Sequence, residues 1–168
     1  SNKTNGYSTQ VGTTLYSVTY EGSNTVIKAL DSATGAEKWR YSPTQKGESI
    51  SLTSSISVSG NSLATMITLV SGVGTNPTYM LRIIDATTGK FRWETQLLGP
   101  ALFPLVVGSK VYVADNDVIK TAFTRIKAFD VQMGVKIWES QQVRSTSPMC
   151  MISADGQGYY DPRSGMQQ

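Results

Sequence analysis

The sequence contains no histidine. That absence removes the commonest general base, the commonest zinc ligand and every Ser–His or Cys–His arrangement. Cysteine occurs once, as Cys150, so no internal disulfide is possible. No apolar run approaches the roughly 18 residues of a membrane-spanning helix. No N-terminal leader pattern is visible either. Charge is sparse, at 16% of residues with a net +3, and no run of Lys or Arg is present. This reads as a solvated surface with a slight basic excess and gives no support for nucleic-acid binding.

What the chain does have is a stretch written three times. Ala29-Leu30-Asp31-Ser32-Ala33-Thr34-Gly35-Ala36-Glu37-Lys38-Trp39 is followed by Ile83-Ile84-Asp85-Ala86-Thr87-Thr88-Gly89-Lys90-Phe91-Arg92-Trp93. The third copy is Ala128-Phe129-Asp130-Val131-Gln132-Met133-Gly134-Val135-Lys136-Ile137-Trp138. Each reads Asp-x-x-x-Gly-x-x-x-Trp without a gap, and the copies hold all 3 tryptophans of the chain.

The residues before each Asp are short apolar runs that suit strands, and alternation resumes after each Gly. A short carboxylate accepts hydrogen bonds from amides just ahead of it. A glycine takes positive φ without steric cost. Each copy therefore predicts a hairpin with an Asp-to-Gly corner. The indole that follows has a large area to bury and one N–H to satisfy. Three indoles at one place in a repeated unit imply one neighbour, the adjacent unit.

The Asp residues lie 54 apart (Asp31 to Asp85) and 45 apart (Asp85 to Asp130). About four short strands fit in each unit, for example Leu15–Tyr20, Val26–Leu30 and Lys38–Tyr41 in the first. In the second, Ile50–Val58 and Ser62–Val70 precede the hairpin; in the third, Phe103–Val107 and Lys110–Ala114 do so. A period in the forties with four strands matches propeller blades. The expected fold is all-β: four-stranded antiparallel blades spanning about 7–42, 48–97 and 102–141, within one domain over 1–168. A partial fourth blade is expected over 147–165, where Asp161-Pro162-Arg163-Ser164-Gly165 imitates the corner but comes only 31 residues after Asp130. The chain is expected to be a piece of a longer protein, with Ser1-Asn2 a cloning remnant.

The motif resembles the tryptophan-docking motif of the PQQ-like propeller repeat, Ala-x-Asp-x-x-Thr-Gly-(Lys)-x-x-Trp, over about Leu15 to Tyr160. The first copy keeps Ala29, Asp31, Thr34, Gly35 and Trp39. The second keeps Asp85, Thr88, Gly89, Lys90 and Trp93 but has Ile83 for the Ala. The third keeps Ala128, Asp130, Gly134 and Trp138 but has Met133 for the Thr. Such repeats occur in quinoprotein alcohol and glucose dehydrogenases. They also occur in non-enzymatic relatives, the propeller lipoprotein of outer-membrane protein assembly and extracytoplasmic domains of bacterial signalling proteins.

The resemblance implies radial blades and an extracytoplasmic place, periplasmic or at the cell surface. It does not bring the chemistry with it. Quinoprotein dehydrogenases hold the quinone against adjacent cysteines and a calcium-binding carboxylate set, and this chain has one cysteine. Neither PQQ nor calcium is expected here, and no catalytic residue is assigned. A closed propeller of this family has six to eight blades, so an open arc is expected. The remaining blades of a parent chain, or a second copy, would complete it. The favoured function is a binding or scaffold module with a protein or small-ligand partner. The alternative is a fragment of a PQQ-dependent dehydrogenase whose active site lies in other blades.

Other candidates have plainer readings. Asp115-Asn116-Asp117 offers three oxygen-bearing side chains for calcium, but reads first as a loop. Gly72-x-Gly74 precedes no helix pattern, so a connection is favoured over a phosphate cradle. Cys150 reads as a small apolar residue and not as a nucleophile. Met149, Met151 and Tyr159-Tyr160 read as core residues that lack a partner blade. Asp31, Asp85 and Asp130 read as structural.

Overall fold

The computed structural model describes residues 8–22, 24–43, 48–50, 56–69, 76–101, 104–116, 123–144, 151–152 and 159–160. Among them are sixteen strands and no helix. In chain order these are β1 (Ser8–Val11), β2 (Thr14–Glu21), β3 (Asn24–Asp31), β4 (Glu37–Tyr41), β5 (Glu48–Ile50), β6 (Ser57–Ser59), β7 (Ser62–Leu69) and β8 (Thr78–Asp85). They continue with β9 (Phe91–Leu97), β10 (Leu105–Val107), β11 (Lys110–Asn116), β12 (Phe123–Asp130), β13 (Lys136–Glu139), β14 (Val143–Arg144), β15 (Met151–Ile152) and β16 (Tyr159–Tyr160).

Three antiparallel sheets, each a simple meander, make an open arc. Their orders are β1-β2-β3-β4, β5-β7-β8-β9 and β10-β11-β12-β13. Most neighbouring strands are joined by two-residue or corner turns, with longer connections from β7 to β8 and from β11 to β12, and sequence neighbours become sheet neighbours. A further antiparallel pair, β15 and β16, follows the third sheet in sequence. Where one strand is expected over Ile50–Val58, two short strands, β5 and β6, pair with opposite ends of β7. Residues 51–55 of that expected strand lie outside the described residues. A two-residue strand, β14, adds to β12 beside β13.

The cores lie between sheets. One is formed by Tyr16, Val18, Ile27 and Ala29 of the first sheet against Leu63, Ile67, Ile84 and Ala86 of the second. The other sets Ala64, Met66, Leu81 and Ile83 of the second against Val106, Val111, Val113 and Phe129 of the third. The middle sheet is therefore covered on both faces. This is why Ser62-Leu63-Ala64-Thr65-Met66-Ile67 is buried without a break and shows no alternation of polarity.

Thr65 sits inside that run, fully buried, and its hydroxyl has no hydrogen-bond partner among the described residues. Burying a hydroxyl without a partner is costly, and valine keeps the branched shape. Thr65→Val is expected to stabilise the protein by roughly 1 kcal/mol, read from the denaturant midpoint at unchanged slope.

Candidate functional site

The repeated corner is built alike three times. Gly35, Gly89 and Gly134 have φ of 73°, 72° and 72°, the left-handed region that a glycine enters freely. Their amides donate back to the carbonyls of Asp31, Asp85 and Asp130 at 2.8, 2.8 and 2.9 Å. Each Asp Oδ1 accepts the amides two and three residues ahead. These are Ala33 and Thr34 at 3.1 and 3.0 Å, Thr87 and Thr88 at 2.9 and 2.9 Å, and Gln132 and Met133 at 2.8 and 2.8 Å. In the first two corners the Thr34 and Thr88 hydroxyls add a third bond to the same oxygen, each at 3.0 Å. Met133 cannot make it.

After the corner the register slips by one residue. Trp39 lies opposite Ala29 while Glu37 lies opposite Leu30, so Lys38 is the extra residue. Arg92 and Ile137 hold the same place. Such a bulge puts residues two apart on opposite faces, which frees the indole to point at the next sheet.

The extra residue also decides what the second carboxylate oxygen meets. Lys38 Nζ stands 3.3 Å from Asp31 Oδ2, and Arg92 Nη2 2.6 Å from Asp85 Oδ2. Among the described residues no cation reaches Asp130 in this way, since its counterpart is Ile137. The Thr34 amide and hydroxyl, the Ala33 amide and Lys38 hold the Asp31 carboxyl below its ordinary range. Partial burial works against ionisation at Asp85, yet Arg92 and the Thr88 amide and hydroxyl hold it low as well. These are fixed acceptors, unsuited to donating a proton at neutral pH.

The indoles join neighbouring sheets. Trp39 Nε1 donates to the carbonyl of Ala86, and Trp93 Nε1 to that of Val131, both at 2.9 Å. Each acceptor is the residue just after the Asp of the next corner. The ring then covers the glycine of that corner: a Cβ on Gly89 would lie 2.7 Å from Trp39, and one on Gly134 2.8 Å from Trp93.

The neighbours of each ring explain the alanine in the motif and its one departure. Ala29 sits between Tyr16 and Trp39 across three strands, and this small residue lets the two rings tilt together at 6.0 Å and 52°. Tyr112, Ala128 and Trp138 repeat the arrangement at 6.0 Å and 52°. In the middle sheet the row is Ala64, Ile83, Trp93, so the aromatic partner comes instead from Phe129 of the next sheet, at 6.2 Å.

Two buried charged groups, Arg82 and Asp115, stand outside the motif among the described residues. Arg82, buried among the strands, binds Glu94 at 2.6 Å and donates to the Tyr41 hydroxyl of the preceding sheet at 2.7 Å. Asp115 corrects the sequence reading. Asp115 and Asn116 belong to β11 and not to a loop, and Asp115 is buried. Its Oδ1 accepts the amides of Leu98 and Gly99 at 2.7 and 3.3 Å, and its Oδ2 meets Lys127 Nζ at 2.5 Å. It thus ties the segment leaving the second sheet to the third. Asp117, Gly72, Gly74, Met149 and Cys150 lie outside the described residues. Met151 is in β15 and Tyr159-Tyr160 form β16. No group of three or more acidic, His or Cys side chains able to hold a metal occurs among the described residues.

Sequence reasoning missed the bulge and the cation it carries. The clue was present, since Lys38 and Arg92 both stand seven residues after the motif Asp.

Glu139, at the outer strand of the third sheet, is held by Lys136 at 2.7 Å and Arg125 at 2.6 Å. These hydrogen bonds pull its carboxyl from the ordinary 4.5 down to about 2. A depressed carboxyl contributes stability in full above the unfolded value and loses it as pH falls toward the folded one. Stability is therefore expected to drop between pH 4.5 and about 2. Glu139→Gln should flatten that part of the pH profile of urea midpoints.

Sheets stacked around an arc, with the Trp39 and Trp93 indoles seated on the next sheet's corner, define a β-propeller built from PQQ-like repeats. Residues 22–161 match the profile of the family described as outer membrane protein assembly factor BamB, and the chain belongs to that family. No curated protein matches the chain significantly. Among solved structures it is similar to a europium-containing methanol dehydrogenase, at 21% identity and TM-score 0.56, over 89% of this chain and 26% of that one. It is also similar to the quinohemoprotein alcohol dehydrogenase of Comamonas testosteroni, at 17% and 0.56, over 94% of this chain and 22% of that one. The Dos1 propeller matches at 13% and 0.53, over 92% of this chain and 43% of that one. The chain thus spans about a quarter of the length of the two dehydrogenases, and the likeness is one of fold.

Proposed function

We propose that the chain is a non-catalytic binding or scaffold module, a segment of a larger extracytoplasmic PQQ-like propeller that mediates protein or ligand interaction. The observation that carries this reading is the use made of the repeated acidic groups. Asp31, Asp85 and Asp130 are bound to the amides of their own corners, and the first two also to cations. The repeated residues act as a tryptophan-docking motif, with their polar atoms engaged in holding blades together. The description of the family as an outer-membrane assembly factor supports a bacterial, periplasmic or cell-surface setting with protein partners.

This reading takes neither PQQ nor calcium. One cysteine cannot form the adjacent pair that the quinoprotein resemblance implies. Asp115, half of the described part of the calcium candidate, already has both oxygens engaged. Titration of the purified chain into pyrroloquinoline quinone, with and without Ca²⁺, is expected to leave the quinone absorbance unchanged apart from dilution. A saturable spectral change with one equivalent would overturn the reading in favour of a dehydrogenase fragment.

A further inference from the structure

The three corners lie on one face of the arc, because Trp39 and Trp93 each reach the corner of the next sheet. The second and third corners touch directly, Arg92 donating to Gln132 at 3.2 Å. Together they carry four of the eight large apolar side chains exposed among the described residues: Phe91, Met133, Val135 and Ile137, at 51, 72, 59 and 47%. The third corner has given up polar groups to present them. Met133 stands where Thr34 and Thr88 bond their Asp, and Ile137 where Lys38 and Arg92 meet it. Val135 stands where the other corners have Ala36 and Lys90. A local rule broken at a cost to its own corner is the usual sign of a surface kept for contact.

This exposure does not depend on where the stack of sheets stops. Thr34, Ala36, Lys38, Thr88 and Lys90 are exposed although the next sheet packs beside each of them. Phe91 belongs to the middle sheet, which is covered on both faces. The same face is basic. Lys90 and Lys110 make no ion pair among the described residues, Lys110 standing across from Asp130 in register without bonding it. Asp85 is already bound by Arg92, and Asp130 by the Gln132 and Met133 amides. A side chain 72% exposed at the end of a hairpin lines no groove that could shape a folded partner. Apolar tips with cations beside them instead suit a soft anionic surface, whose acyl region takes the tips and whose phosphates take the lysines.

We propose that this face, with Phe91, Met133, Val135 and Ile137 as its apolar tips and Lys90 and Lys110 as its cations, rests on an anionic lipid bilayer. The contact is peripheral and reversible, since a few side chains bury little area and the electrostatic part is screened by salt.

Flotation of the 168-residue chain with lipid vesicles tests this. The expected result is binding to phosphatidylcholine vesicles that contain phosphatidylglycerol, weaker on phosphatidylcholine alone and weaker as salt rises. Met133→Thr, Val135→Ser and Ile137→Thr together should lower the partition coefficient roughly tenfold or more. Lys90→Gln with Lys110→Gln should lower it on the anionic vesicles and leave phosphatidylcholine alone unaffected. Tyr20→Ser with Leu98→Ser removes exposed apolar side chains at the opposite ends of the sheets, and this variant should bind as the unaltered chain does. A chain that floats with neither kind of vesicle, or an equal loss in the Tyr20 and Leu98 variant, would overturn the proposal. So would self-association abolished by the three apolar substitutions, which would give the face to a second copy. If the triple variant unfolds, the lysine pair against the Tyr20 and Leu98 pair decides it alone.

Discussion

Trp93→Ala is expected to destabilise the protein by about 3–5 kcal/mol, the range for removing a large aromatic side chain from a packed site. The indole joins the second and third sheets through three kinds of contact that fail together. Its ring packs on Phe129 at 6.2 Å, its N–H bonds the Val131 carbonyl at 2.9 Å, and its face covers Gly134. Alanine leaves a gap between two stacked sheets that β-structure cannot close by a local shift, and it leaves a carbonyl without its donor. Trp39→Ala should cost a similar amount, since Tyr16, the Ala86 carbonyl and Gly89 take the same parts. Trp138→Ala should cost less, because among the described residues its contacts are to Tyr112, Ala114 and Ile126 within its own sheet. Denaturant midpoints of the three variants give the comparison. Equal and negligible shifts would mean that the indoles do not hold the sheets together.

The second large effect concerns the glycines. Gly35, Gly89 and Gly134 share one backbone conformation, so alanine carries the same left-handed strain at each, about 1–2 kcal/mol. Their surroundings differ. The added Cβ would press into the Trp39 ring at 2.7 Å in Gly89→Ala and into Trp93 at 2.8 Å in Gly134→Ala, whereas Gly35→Ala meets nothing within 4 Å. Overpacking adds about 1–3 kcal/mol. Gly89→Ala and Gly134→Ala should therefore exceed Gly35→Ala by about that difference, measured as unfolding free energies under one set of conditions. Three equal losses would show that the indoles give way freely or do not rest there.

Much of this architecture was legible in the chain because its determinants are local and repeated. An Asp that caps its own turn, a glycine four residues on and a half-buried indole after it lie within nine residues, and the chain writes them three times. The bulge before each indole was not legible. A one-residue slip leaves the apparent alternation around Lys38-Trp39-Arg40 intact while exchanging the faces. Asp115 was misplaced for another reason. Acidic and amide residues in a row read as a loop when their partners are out of sight, and here the partners are amides 17 and 16 residues back in sequence and a lysine on the neighbouring strand. The two-sided burial of β7 follows from having a sheet on each side, which no single segment announces.

The most direct test of the joint is a double-substitution cycle between Trp39 and Gly89. Residues in contact are coupled, and a cycle isolates that coupling. If the indole of one sheet rests on the glycine of the next, removing the ring first removes the obstacle. Gly89→Ala in the Trp39→Ala background should then cost no more than Gly35→Ala does in the unaltered protein. Strictly additive losses would contradict the account.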